Sequence, residues 1–186
     1  MTKSRFHEDL KIQFGLTHDC VRACVFFDHI VRVRPQAEAW ISFVDICYTD
    51  AVLTWTQLFG SNGEETHWKH FLSKFDNLPE NLRRFSSDRV CAYLEIEMNQ
   101  WEAFHARMVN ARNKRLAHID RFYEMKDFPG LDWAARSCYI YREWLLLLLN
   151  EVTEPNSDPQ KEPHSGPEMI ALFQRQIAEI CPDAVT

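Results

Sequence analysis

A chain of 186 residues and 22.0 kDa has the length of one domain, or of one domain with an appendage. With 46% hydrophobic and 26% charged residues its composition is that of an ordinary globular protein, which excludes wholesale disorder, collagen-like repeats and a disulfide scaffold. A net charge of −6 argues against coating nucleic acid by bulk electrostatics but leaves room for a local basic site.

The longest apolar run, Trp144 to Leu149, is six residues, far short of the ~20 that span a bilayer. The opening MTKSRFHEDL carries acidic residues where a secretion signal needs an apolar stretch, so the expectation is a cytoplasmic chain with no membrane partner. The six cysteines (Cys20, Cys24, Cys47, Cys91, Cys138 and Cys181) form no CxxC pair. They read as buried, reduced thiols.

The five glycines and eight prolines are few enough to serve as punctuation. Between Gly15 and Pro35, residues Leu16, Cys20, Ala23, Cys24, Phe27, Ile30 and Val31 recur at three- and four-residue spacing, which predicts an amphipathic helix over 16–34. Ile41, Val44, Tyr48, Ala51, Val52, Trp55 and Leu58 predict a second over 36–59. After a Ser61-Asn62-Gly63 turn, EETHWKHFLSKF predicts a short helix over 64–75, with Glu64 and Glu65 in its first turn complementing the dipole. His67 and His70 stand three apart there, and a surface histidine pair is favoured over a metal site because no carboxylate or cysteine has a companion spacing. A longer helix is predicted over 87–110, with Val90, Tyr93, Leu94, Trp101, Phe104 and Met108 inward. Another is predicted over 132–151, with Asp132 as its N-cap and Ala134, Cys138, Tyr141, Leu145, Leu148 and Leu149 on its apolar face.

No stretch alternates with period two, so the fold class is all-α: an up-and-down bundle of four main helices with short additional helices over 1–152. Four prolines fall between 154 and 167, which reads as a Pro-rich polar linker over 153–167. A C-terminal helix follows within 168–182, docking on the bundle or on a partner.

Residues 105–121, HARMVNARNKRLAHIDR, invert the acidic balance. Arg107, Arg112, Lys114, Arg115 and Arg121 are opposed there only by Asp120. A solvated helix C-terminus accounts for such a cluster through the helix dipole. A phosphate site accounts for it through the bidentate geometry of arginine. His118 is the type of side chain that exchanges protons near neutral pH, and its plainer reading is a cap on a helix end. His105 lies upstream and is a candidate to line the same cleft.

The run Arg112-Asn113-Lys114-Arg115-Leu116-Ala117-His118 resembles the R-x(4–6)-H motif of HEPN domains in its RNxxxxH form. These are small helical-bundle proteins, many of them metal-independent ribonucleases of toxin–antitoxin and anti-phage systems. Leu58-Phe59-Gly60-Ser61 followed by His67-Trp68-Lys69, together with RNKRLAH, looks like the abortive-infection, AbiU-like branch, and the resemblance covers most of 16–150. Arg22 and His29 also fit the spacing but lack the polar residue after the arginine. On an unbroken helix, Arg112 and His118 would point roughly 240° apart. They converge only where the helix ends or bends, or where two copies meet.

The resemblance implies an endoribonuclease without metal or other cofactor. His118 would take the proton of an RNA 2′-hydroxyl, Arg112 would hold the scissile phosphate, and Asn113 would orient the pair. Lys114, Arg115, Arg107 and Arg121 would steer the RNA backbone. The implied partners are RNA, a second copy in a homodimer, and an antitoxin or regulatory protein. Two alternatives remain: a non-catalytic HEPN-like module binding nucleotide, RNA or protein, and a plain helical scaffold in which the motif is accidental.

Overall fold

Apolar residues at helical spacing build the molecule, and no strand occurs among the described residues. The structure, a computed structural model, describes residues 3–33, 38–75, 82, 84–116, 128–152 and 165–182. Its helices are α1 (Lys3–Val33), α2 (Ala39–Phe59), α3 (Trp68–Ser73), α4 (Ser87–Leu94), α5 (Met98–Ala111), α6 (Asp132–Val152) and α7 (Gly166–Ile180). The chain is an all-α helical bundle, and no described helix is long and apolar enough to cross a membrane.

Helix α1 starts thirteen residues before the predicted 16, because Gly15 does not break it. Phe6, Leu10, Gln13, Thr17, Cys20 and Cys24 form one buried stripe through the glycine. Gly15 lies on the opposite, exposed face, where an added Cβ would meet nothing. Its cost is only that of helix propensity.

Helix α2 runs antiparallel to α1: Phe27 packs on Tyr48, and the Cys20 thiol donates to the Ala51 carbonyl. Trp55 stands at the centre of the core. It stacks on Phe59 and meets Trp101 and Phe104 edge-on, while its Nε1–H donates to Ser137 Oγ at 2.9 Å. Val31 and Ile41, at the ends of the two predicted patterns, are solvent-exposed.

The helix predicted over 87–110 is two helices. Ser86 caps α4 by accepting from the Arg89 N–H, and the chain turns at Glu95 with φ 59°, a left-handed conformation that ends a helix. Helix α5 restarts with a capping box in which Gln100 Oε1 accepts the Glu97 N–H at 2.8 Å. The break turns Tyr93 outward. It lies on the surface, stacked on Tyr139 beneath Arg136, and not in the core.

Asp132 is not the N-cap of α6. The Ala135 N–H closes on the Leu131 carbonyl at 2.9 Å, which puts Asp132 inside the first turn, where its charge favours the dipole.

Helix α7 begins two residues before the predicted start and packs on α1 and α6. Ser165 and Glu168 form its capping box, and Met169, Phe173 and Ile177 bury one face. Gly166 is required by close approach, since a Cβ there would sit 2.1 Å from the Tyr139 ring. The far end is fixed by His29. Its Nδ1 accepts from Arg32, so its Nε2–H donates to the Cys181 carbonyl at 2.6 Å. The linker before α7 lies outside the described residues through 164. All six cysteines are buried and unpaired. The hydrogen bond with Cys20, followed by burial, raises the Cys24 thiol well above the usual range, and burial raises Cys138 likewise and pushes Cys47 to about 11.

A buried polar chain ties the layers together. Tyr141 Oη donates to Gln13 Oε1 at 2.9 Å, and Gln13 Nε2 donates to the Thr66 carbonyl at 2.9 Å. Beside it the buried Arg142 donates to the Phe14 carbonyl and Thr17 Oγ1 and lies over the Phe14 ring. Desolvation lowers its guanidinium to about 10.

Gly15→Ala is expected to stabilise the protein by about 0.5–1 kcal/mol in chemical denaturation, since the new methyl meets solvent and the helix gains propensity. A loss of stability would show that α1 does not run through this position. Gln13→Leu is expected to cost about 2–4 kcal/mol, because it strands the Tyr141 hydroxyl and the Thr66 carbonyl together. A cost below about 1 kcal/mol would mean that both find other partners.

Candidate functional site

Helix α2 ends at Phe59, which leaves its last carbonyls without intrahelical donors. Gly60 makes the exit. Its N–H closes on the Thr56 carbonyl at 2.9 Å, and a Cβ on it would lie 2.5 Å from that oxygen. The carbonyls at this end are met by an imidazole. His105 of α5 donates its Nε2–H to Phe59 O at 2.7 Å and to Gly60 O at 3.1 Å, and its ring meets Trp55 edge-on. The Phe59 carbonyl also acts on the His67 ring, favouring its charged form.

His67 is not half of a surface pair. It is buried and is the N-cap of α3, its Nδ1 accepting from the Lys69 N–H at 3.1 Å, whereas His70 is exposed. Among the described residues no group of three or more His, Cys, Asp or Glu side chains is placed to hold a metal ion.

The loop from Ser61 to His67 is set by its own backbone turns and by two anchors. Glu64 N–H bonds Ser61 O, His67 N–H bonds Glu64 O, Thr66 Oγ1 donates to Gln57 O, and Gln13 holds Thr66 O. Glu64 and Glu65 therefore precede the helix instead of forming its first turn, because α3 begins only at Trp68. Glu64 has a different partner: its Oε1 lies 2.8 Å from Arg112 Nη2, with both side chains half-buried.

Arg112 sits at a change of helix type. Helix α5 ends at Ala111, and residues Arg112–Leu116 wind as a π-helical turn packed on α2. The Arg112 N–H is shared between the Met108 and Val109 carbonyls. The change of winding starts at the arginine, and the far end of the motif lies outside the described residues. Arg112 Nη1 reaches Asn113 Oδ1 at 3.4 Å, so Glu64, Arg112 and Asn113 form one polar cluster.

The remaining basic residues separate. Lys114 is exposed in the π-helical turn, which also contains Arg115. Arg107 lies five residues before Arg112, roughly 140° around the helix. It reaches the Phe128 carbonyl at 2.9 Å and lines a different cleft, of about 380 Å³, with Trp133 and Gly130. His118, Asp120 and Arg121 lie outside the described residues. The competing spacing match is spent on structure: Arg22 pairs with Asp19 at 3.1 Å, and His29 holds the end of α7.

A cleft of about 290 Å³ opens beside the imidazole-bound carbonyls, between α5 and the segment from 59 to 69. Trp68, Trp101 and Met98 line it together with His105, Asn62, Lys69 and Glu102. Met98, Glu102, His105 and Arg112 follow one another at four, three and seven residues, so they share one stripe of α5 and its extension. His105 was legible from its place before the motif. Glu64 was not, since its partner lies 48 residues away and only the tertiary fold brings them together.

No family model, no curated protein and no solved structure matches this chain.

Burial holds His67 at about 4, with the Lys69 ammonium acting in the same direction and the Phe59 carbonyl opposing. An unfolded histidine titrates near 6.5. Between these values the unfolded chain binds a proton that the folded one refuses, so stability falls as pH drops from about 6.5 to about 4. The full effect is on the order of 3 kcal/mol. Denaturant titrations at pH 7 and 4.5 should show a larger loss for wild type than for His67→Asn, which keeps a capping oxygen and has no titrating ring. Equal losses would show that His67 does not resist protonation.

Proposed function

We propose that this chain is a metal-independent endoribonuclease of HEPN type, a toxin or anti-phage effector that acts as a cytoplasmic homodimer. The observation that carries the reading is Arg112. It is half-exposed, stands where α5 gives way to a π-helical turn, and is oriented by Glu64 on one edge and Asn113 on the other. Changes of helix type of this kind recur at functional sites. A guanidinium fixed on one side by a carboxylate keeps further donors for a phosphate, and it stabilises the negative charge that builds during attack.

In this reading His118 removes the proton of the RNA 2′-hydroxyl. The freed oxygen attacks the adjacent phosphorus and expels the 5′-oxygen of the next nucleotide, leaving a 2′,3′-cyclic phosphate. A proton on the leaving oxygen comes from water or from the His118 of a second copy. A two-fold pairing of the motifs supplies that acid and doubles the cations around the phosphate. Lys114, Arg115 and Arg121 contribute backbone attraction. Arg107, on another face of α5, contributes at longer range. Residues 105–121 contain Asp120 as their single carboxylate, which suits a reaction whose nucleophile belongs to the substrate.

Purified protein is expected to cleave RNA and not DNA, in EDTA as well as in Mg²⁺, leaving 2′,3′-cyclic or 3′-phosphate ends, with the rate falling as His118 protonates at acid pH. Arg112→Ala and His118→Ala should each reduce cleavage by at least about a hundredfold, the scale of losing one general base or one charge-stabilising donor, with helical circular dichroism unchanged. Cleavage by His118→Ala at the wild-type rate, or 3′-hydroxyl products, would falsify the mechanism. A monomeric mass at micromolar concentration in an active preparation would overturn the dimer.

A further inference from the structure

The cleft beside His105 has a lining that the cleavage chemistry does not use. Its apolar side is Trp68, Trp101 and Met98, and its polar side combines the Glu102 carboxylate, the Lys69 ammonium and the Asn62 amide. Flat ligands with polar edges suit such a surface: a ring lies on the aromatic side while its edge exchanges hydrogen bonds. At about 290 Å³ the cleft falls at the lower end of small-ligand pockets, room for one base and not for a duplex.

The arrangement of charge is selective. Glu102 and Lys69 make no ion pair with each other among the described residues, and the Lys69 ammonium lies over the Trp68 ring 5.4 Å from its centroid, so an acceptor and a donor stand in one cleft with the cation beside the aromatic side. His67 spends its Nδ1 on the Lys69 N–H, and His105 spends its Nε2–H on Phe59 and Gly60, leaving the His105 Nδ1 as a further acceptor. Guanine is the RNA base that presents adjacent N–H donors at N1 and N2 next to the O6 acceptor. A carboxylate takes the two donors, and an ammonium or amide serves O6. Adenine, cytosine and uracil offer no donor pair to a carboxylate.

The position matches as well. His105 and Arg112 share one stripe of α5 and its π-helical extension, seven residues or about 10 Å apart along the axis. Asn62, on the rim of the cleft, is two residues from Glu64, which holds Arg112.

We infer that this cleft takes the guanine base of the nucleotide whose phosphate Arg112 binds, and that Glu102 and Lys69 set the preference. The phosphate half of this statement rests on the ribonuclease reading, and the base half rests on the cleft alone.

The test is titration of the full chain with guanosine, adenosine, cytidine and uridine 5′-monophosphates, followed by tryptophan fluorescence and calorimetry, beside cleavage-site mapping on a mixed-sequence RNA. Guanosine monophosphate should bind at least about tenfold more tightly than the others. Glu102→Gln should reduce that preference below about threefold, and Lys69→Met should weaken guanosine monophosphate binding about fivefold. Both residues are exposed, so fold is retained and circular dichroism checks it. Cleavage should cluster at guanosines in wild type and scatter in Glu102→Gln. Equal binding of the four nucleotides, no binding, or a preference unchanged in Glu102→Gln overturns the inference. RNA cleaved without base preference overturns the base pocket and leaves the ribonuclease reading standing. Guanosine monophosphate bound through Glu102 by a protein that cleaves no RNA does the reverse.

Discussion

The arrangement around Arg112 depends on one buried amide. Gln13 accepts from Tyr141 and donates to the Thr66 carbonyl, linking α6 through α1 to the loop after α2. A buried side-chain amide is costly unless both of its ends are satisfied, and that requirement gives the interaction its specificity. An apolar contact at this position would tolerate sliding, whereas the amide fixes the loop in one register against the long helices. From that register Glu64 reaches Arg112 and His67 caps α3, while the His105 imidazole closes the carbonyl end of α2.

The same economy appears at each helix end near the site. The carbonyl end of α2 is closed by a histidine from elsewhere in the chain, and the end of α5 widens into a π-helical turn instead of stopping on a cap. Helix ends are where backbone groups need outside partners. Bringing two such ends together therefore concentrates polar side chains in a bundle that is otherwise packed with aromatic rings. Trp55 is the pivot of that packing, touching Phe59, Trp101, Phe104 and His105, so the aromatic core and the polar cluster share a wall.

Much of this was legible in the sequence. Helical periodicity identifies the all-α class and α2 and α6 to within a few residues, and the usual burial of free cysteine identifies the buried state of all six thiols. It fails where one residue overrides the pattern. Gly15 reads as a stop, but a helix tolerates a glycine on its solvent face, and the error hid Gln13 and with it the link to Thr66. The run from 87 to 110 reads as one helix because its apolar spacing is nearly continuous, and the left-handed turn at Glu95 carries no glycine to mark it. At the site, Arg112 and Asn113 stand out by motif. Glu64 does not, because an ion pair across 48 residues leaves no local trace.

The buried thiols have a use of their own. Cys181 is covered at the end of α7, Cys20, Cys24 and Cys138 lie in the seam between α1 and α6, and Cys91 sits on α4. A reagent that alkylates thiols reaches each only when its own part of the fold opens, and such openings differ in free energy from one region to another. The chain thus carries a set of internal clocks. Cys181 records the release of α7, Cys91 the loosening of α4, and the three seam cysteines the parting of the long helices, so reading their labelling times in order would give the sequence in which the bundle comes apart.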